Sequence, residues 1–202
     1  ISVKVTATDG SAASVSDTFD LSVGNTNDAP TVANAIADQS ATEDSAFSFQ
    51  VPANSFADAD VGDTLTYTAT LDNGDPLPSW LSFDGTTFTG TPASGDVGAA
   101  TVTLTATDGS GATATQRIVF TVANVNDAPT VAATIADQTA AEDSAFSLII
   151  PSTIFADEDS IHGDVLTYSA TLAGGSPLPA WLSFNPTTRT LSGTPGLGDA
   201  GT

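Results

Sequence analysis

Apolar and polar residues alternate with a period of two along most of the chain. Phe47, Phe49 and Val51 alternate with Ser48 and Gln50, and Leu65, Tyr67, Ala69 and Leu71 with Thr66, Thr68 and Thr70. Val102, Leu104 and Ala106 alternate with Thr101, Thr103 and Thr105, and Ile118, Phe120 and Val122 continue the pattern. Successive side chains leave a strand on opposite faces, so this period predicts strands with one face turned to a core. Threonine and valine suit such a pleated surface. Gly, Pro, Asn and Asp punctuate the chain roughly every 8–15 residues, and no stretch carries a helical period. About seven strands in a stretch of 99 residues, 29–127, predict an all-β, immunoglobulin-like antiparallel sandwich. Trp80, Leu81 and Phe83 are expected in its core, and Trp181 in the core of the next.

The pattern itself repeats. NTNDAP at 25–30 returns as NVNDAP at 124–129, an offset of 99. ATEDSAFSF (41–49) returns as AAEDSAFSL (140–148), and FADAD (56–60) as FADED (155–159). Two extra residues near Ile161 and His162 shift the offset to 101, so GDTLTYTATL (62–71) returns as GDVLTYSATL (163–172) and LPSWLSF (77–83) as LPAWLSF (178–184). VKVTATDGS (3–11) returns as VTLTATDGS (102–110). Repetition at a fixed period marks an array of like units. The expected organisation is the C-terminal strands of a first repeat (1–28), one whole repeat (29–127) and the N-terminal part of a third (128–202).

Charge narrows the partners. The 202 residues include 24 acidic and 3 basic ones, for a net charge of -21. Such a surface repels phosphate backbones and anionic lipid, which argues against nucleic acid and membrane as partners. It suits multivalent cations. With 40% hydrophobic residues and 10 Phe the chain has material for cores, so disorder is not expected. There is no Cys, which excludes disulfides and thiolate metal sites. No apolar run approaches the roughly 20 residues of a membrane helix. With no recognisable signal peptide and no Met, the chain reads as part of something longer.

Calcium takes six to eight oxygens from carboxylates, amides, backbone carbonyls and water. The loops at one junction between sandwiches can supply them. At the second linker stand Asn124, Asn126 and Asp127, with Glu43 and Asp96 in loops upstream and Asp157 and Asp159 in a loop downstream. The first linker repeats the recipe with Asn25, Asn27 and Asp28, followed by Asp58, Asp60 and Asp108. The i, i+2 spacing of Asp157 and Asp159 suits a turn that aims both carboxylates at one ion. These loops are not EF-hands, because the glycine and the final glutamate are misplaced. The glycine-rich nonapeptide of calcium-binding β-helices is absent.

These motifs, NxNDAP, TEDSAF, DAD and TATDG, resemble the calcium-binding motifs of cadherin repeats. The remaining text, DxDxGDxLTYxATL followed by PLPxWLSF and GTP, resembles the dystroglycan-type cadherin-like module found in large bacterial surface and secreted proteins. The resemblance implies roles. Asp127 matches the bridging carboxylate of the linker, Asn126 the amide belonging to the following domain, and Glu43, with its counterpart Glu142, the N-terminal glutamate of a domain. Asp157 and Asp159 match the paired aspartates, and Asp9 and Asp108 the aspartate that closes the sixth strand. Cadherins also carry an Asp-x-Glu pair, where this chain has only Asp96 or Asp199, so one or two ions per junction are expected rather than three.

Function follows from the repetition. The one histidine, His162, lies in an insertion, and acids that recur in every repeat suit a repeated structural task, so no enzyme is expected. The expected function is a calcium-binding tandem repeat of an extracellular bacterial adhesin or surface fibre. The alternative is a calcium-dependent carbohydrate-binding module, for which Phe88 and the Asn73-Gly74-Asp75 turn are the candidate contacts. Expected partners are neighbouring repeats or subunits, or a cell-surface glycan. Residues 1–28 carry the two strands that 129–202 lack, which leaves two readings open: head-to-tail strand exchange between molecules, or a window cut from a longer repeating chain.

Overall fold

The computed structural model describes residues 1–200, and it is all-β apart from three short 3-10 turns at Ser94–Asp96, Glu158–His162 and Leu197–Asp199. The whole repeat contains seven strands in two sheets. One sheet runs in the order Gln39–Thr42, Thr113–Ala123, Gly98–Thr107, Thr66–Leu71, and the other in the order Phe47–Gln50, Thr87–Gly90, Leu81–Phe83. A small extra pair, Thr31–Val32 with Phe56–Ala57, sits beside the linker. The expected all-β sandwich is therefore the observed one.

Alternation predicts the core. Val102, Leu104, Ala106, Ile118, Phe120 and Val122 are all buried. Their polar neighbours on the same strands are only partly covered or exposed, as period-two strands require. Phe120 meets Phe88 at 5.0 Å and Phe47 at 5.8 Å between ring centroids, and Trp80 lies edge-on to Phe47 at 6.1 Å. Offset and edge-on geometries of this kind suit the ring quadrupole. Trp80 and Leu81 are core residues as expected, and Phe83 stacks on Phe88 at 4.3 Å.

Phe88 corrects an expectation. It is fully buried, with 0% of its surface exposed, so it offers no platform to a sugar. The sequence hid this because Phe88 pairs with Phe83 in register, on the inward face of a three-stranded sheet. The Asn73-Gly74-Asp75 turn closes on itself, with Asn73 Nδ2 donating to Asp75 Oδ2 at 2.7 Å. Gly90 explains the fixed GTP motif. A Cβ there would lie 1.8 Å from the Trp80 carbonyl oxygen, and one at Gly193 would lie 1.8 Å from that of Trp181.

In the third repeat the three-stranded sheet forms again, ordered Phe146–Ile149, Thr190–Gly193, Leu182–Asn185, with the small pair Thr130–Val131 and Phe155–Ala156. Residues 138–141 and 165–172 repeat the sequence of two strands of the whole repeat but form no ladder among the described residues. A strand exists only through its partner. Their counterparts pair with Thr113–Ala123 and Gly98–Thr107 in the whole repeat. Strands Ser2–Thr8 and Ser14–Asp20 form a separate antiparallel hairpin.

By compactness the chain divides into two units. The first comprises Ile1–Gln39, Phe47–Gly90 and Ala99–Thr121, the second Ser40–Ala46, Thr91–Gly98 and Val122–Thr202. Each of the two linkers, with the acids it gathers, lies inside a single unit.

Candidate metal centres at the two linkers

In the first unit the linker grips a loop. Asp58 Oδ1 accepts the N–H of Asp60 at 2.9 Å, the local turn that the i, i+2 spacing favours. Asp60 is then held from the linker on both oxygens, by Asn25 Nδ2 at 2.6 Å and by the Asp28 N–H at 2.8 Å. Asn27 Nδ2 donates to Asp108 Oδ2 at 3.0 Å. The other oxygen of Asp108 caps its own loop, taking the N–H groups of Ser110 at 2.9 Å and Ala112 at 2.8 Å. These donors, led by the Asn27 amide, hold the Asp108 carboxyl below the usual carboxylate range.

The second unit repeats this geometry. Asp157 Oδ1 accepts from the Asp159 N–H at 3.0 Å, and Asp159 is held by Asn124 Nδ2 at 2.9 Å and by the Asp127 N–H at 2.5 Å. The Asp127 N–H is the main cause of a lowered Asp159 pKa, with Asn124 second, and together they outweigh burial. From upstream, Glu43 is buried (1% exposed), and its Oε1 accepts the Val125 N–H at 2.5 Å. Its backbone N–H donates to the Ala123 carbonyl, and that of Asp44 to Pro92.

Two carboxylate oxygens in this second cluster are buried with no hydrogen-bond donor, Glu43 Oε2 and Asp127 Oδ2. In the first cluster Asp58 Oδ2 is the same. Burial, then the charges of Asp44, Asp159, Glu43 and Asp157, raise the Asp127 pKa. The salt bridge seen among the described residues pairs Arg117 with Asp72 at 2.7 Å and involves no acid of either cluster. Arg189 sits over the Tyr168 ring at 5.6 Å. Buried acceptors that face like charges and lack donors fit a cation, and hard oxygen donors of this kind fit Ca2+ better than a soft or nitrogen-seeking metal.

The structure adds two acids that sequence reasoning passed over. Asp63 lies with Asp58 and Asp60, and Asp164 with Asp157 and Asp159, each trio having ligand atoms within 4.8 Å of one another. The signal was present as the Gly-Asp pair opening GDTLTY and GDVLTY. In both loops the preceding glycine is left-handed, with φ 101° at Gly62 and 105° at Gly163. Two residues separate Asp60 from Asp63 and four separate Asp159 from Asp164, yet both trios close. The extra length is taken up by the 3-10 turn Glu158–His162. His162 Nε2 lies 2.8 Å from the Ser94 carbonyl.

The remaining expected ligands are outside the closely spaced trios. Asn126 turns back, its Nδ2 donating to the Asp127 carbonyl at 3.0 Å, so the amide that reaches the downstream loop is that of Asn124. Asp96 spends Oδ2 on the Ala93 N–H at 3.0 Å and is outside the closely spaced trio. Glu142 is exposed at the open side of the third repeat. Asp9 caps the hairpin loop through Oδ1, taking Ser11 N–H at 2.9 Å and Ala13 N–H at 2.8 Å, the pattern that Asp108 shows.

Comparison with known proteins places this architecture. Residues 29–123 and 128–202 each match the family model He_PIG, described as "Putative Ig domain". The chain belongs to the He_PIG family. No curated protein matches it. Among solved structures, the He_PIG repeats are similar to extracellular cadherin domains 1–4 of protocadherin gamma B7, at 17% identity over 97% of this chain and 49% of that one, with a TM-score of 0.50. A GH107 endo-fucoidan hydrolase, MfFcnA4, matches at 24% identity over the whole chain with a TM-score of 0.40, and this chain spans 30% of its length. The titin domains Z1Z2 match at 18% identity over 83% of this chain and 81% of that one, with a TM-score of 0.37. At these identities the likeness is one of fold: tandem Ig-like, cadherin-like domains. No helix among the described residues is long and apolar enough to cross a membrane.

Proposed function

We propose that this stretch of He_PIG repeats is a calcium-braced segment of an extracellular adhesin or surface fibre, of the kind that bacteria build from dystroglycan-type cadherin-like modules. Its task is mechanical and adhesive rather than catalytic. Ca2+ bound at each linker would tie the loop acids to the linker acids and stiffen the succession of repeats. One observation carries the reading: Glu43 Oε2 and Asp127 Oδ2 are buried without donors, in a linker that like-charged side chains surround. The residues that would hold the ion are Glu43, Asp127, Asp157, Asp159 and Asp164, with Asn124 and the backbone positioning Asp159. At the first linker they are Asp58, Asp60 and Asp63, with Asn25, Asn27, Asp28 and Asp108 as the surrounding set. The non-catalytic reading is supported by the use of the one histidine against a backbone carbonyl. It is supported too by the duplication of the acids, since an active site needs no second copy 99 residues away.

Binding only to the ordered linker stabilises it by mass action, about 2.7 kcal/mol per site at a concentration about 100 times Kd. For a chain of this size that is a rise in Tm of several degrees. Thermal unfolding followed in calcium and in chelator tests the reading. A higher Tm in calcium, not reproduced by magnesium at equal ionic strength, is the expected result. Identical midpoints in calcium and chelator would remove the proposal.

A further inference from the structure

The two acidic loops differ by an insertion, and the insertion makes a contact of its own. Between its second aspartate and its glycine the loop of the whole repeat has one residue, Val61, whereas that of the third repeat has three, Ser160, Ile161 and His162. The added length winds Glu158–His162 into a 3-10 turn, capped by the Asp157 carboxylate and ended by the left-handed Gly163. Ser160 Oγ ties the turn to its start by donating to the Asp157 carbonyl at 2.8 Å, and the Asp164 N–H donates to the Asp159 carbonyl at 3.2 Å. These bonds fix the turn from within and so fix the backbone that presents His162.

His162 meets a second 3-10 turn, contributed by the preceding repeat. Ser94–Asp96 lies against Glu158–His162, and all of these residues fall in the same compact unit. The Ser94 turn is itself held, by Asp96 Oδ2 accepting the Ala93 N–H at 3.0 Å. Ser94 is buried, and its carbonyl accepts from two sides: from the Val97 N–H at 3.3 Å, which closes the turn, and from His162 Nε2 at 2.8 Å. A carbonyl oxygen has two lone pairs and can only accept, so Nε2 is the nitrogen that carries a proton. The bond joins residues 68 positions apart, one on each side of the linker. Neither belongs to an acidic trio.

We propose that the insertion at Ile161 and His162 is a metal-independent brace: the His162 imidazole bridges to the Ser94 carbonyl and keeps the second linker ordered when no cation is bound. A loop of the shorter FADADVGD type has only the aliphatic Val61 at this point, with no donor to make the bond. The brace restricts the linker, so the hydrogen bonds that cross it, Val125 N–H to Glu43 and Asp127 N–H to Asp159, open less often. Loop length would thereby set how stiff a linker of this kind is without metal. The brace needs no cation, so identical melts in calcium and chelator would remove the ion and leave the brace intact.

Amide hydrogen exchange of the whole chain in chelator, followed residue by residue by NMR, tests this. His162→Ala should speed exchange of the Val125 and Asp127 amides about two- to tenfold, the range that the net contribution of one hydrogen bond sets. Deletion of Ile161 and His162, which gives the loop the length of its counterpart, should do the same. His162→Gln, whose side-chain amide can still donate to the carbonyl, should keep most of the protection. The Asp28 amide, which donates to Asp60 in the other unit, should exchange at the same rate in every variant. Unchanged exchange at Val125 and Asp127 in His162→Ala overturns the proposal. So does a His162→Gln chain that exchanges as fast as His162→Ala. A rise at Asp28 as large as that at Asp127 overturns it too, because the whole chain would then have loosened.

Discussion

Asp127 is the residue on which the calcium reading concentrates. Its carboxyl is pushed up by burial and by four neighbouring acids, while its backbone N–H steadies Asp159. Asp127→Asn should therefore raise Tm in chelator, by removing the repulsion, and abolish most of the rise that calcium produces. The pair of melts distinguishes a ligand from a structural residue, since loss of a structural residue lowers both. The pH dependence has two signs. The raised Asp127 contributes stability that is complete below its ordinary value of 3.8 and lost as pH rises through its folded pKa. The lowered Asp108 and Asp159 contribute stability that is complete above 3.8 and lost as pH falls through their folded pKa values. In chelator, Tm should climb as the pH is lowered from neutral towards 3.8 and fall below it. In calcium the climb should shrink, because the ion already answers the Asp127 charge. At the core, Phe120→Ala removes the ring on which Phe47 and Phe88 close, at a cost of about 3–5 kcal/mol by denaturant unfolding.

At the scale of the element, the loops show why the sequence was partly legible. Period-two alternation named the buried faces of Gly98–Thr107 and Thr113–Ala123 correctly, because each strand has one face on the core. It could not place Phe88, which sits in a strand of four residues whose facing depends on its register with Leu81–Phe83. Nor could it see that residues 165–172, nearly identical to a strand, form none among the described residues, because pairing is a property of two segments. The linker asparagines were found by repetition, but their division of labour was not. It is Asn124 that reaches the loop, at Asp159, while Asn126 donates to the neighbouring Asp127 carbonyl. Asp63 and Asp164 were legible in hindsight as the acid after a glycine that must turn left-handed. Gly163→Ala would place a Cβ at φ 105°, a strain of about 1–2 kcal/mol that a non-glycine residue meets there. It should weaken calcium binding by displacing Asp164, measurable as a right-shifted calcium titration of Tm.

Over the whole molecule, repetition and charge converge. With 24 acidic and 3 basic residues the chain supplies few counter-ions, and the proposed Ca2+ would offset the repulsion that the linker amides and backbone N–H groups leave. The He_PIG match gives two Ig-like repeats in tandem, and each is preceded by a copy of the linker motif. The most direct measurement is calorimetric titration of the chain with Ca2+, alongside a Glu43→Gln, Asp159→Asn variant. The account predicts saturable binding with Kd on the order of 10⁻⁴–10⁻³ M, the range of extracellular calcium modules, and loss of the second-linker site in the variant. Absence of binding heat in the unmodified chain, or an unchanged titration in the variant, would contradict it.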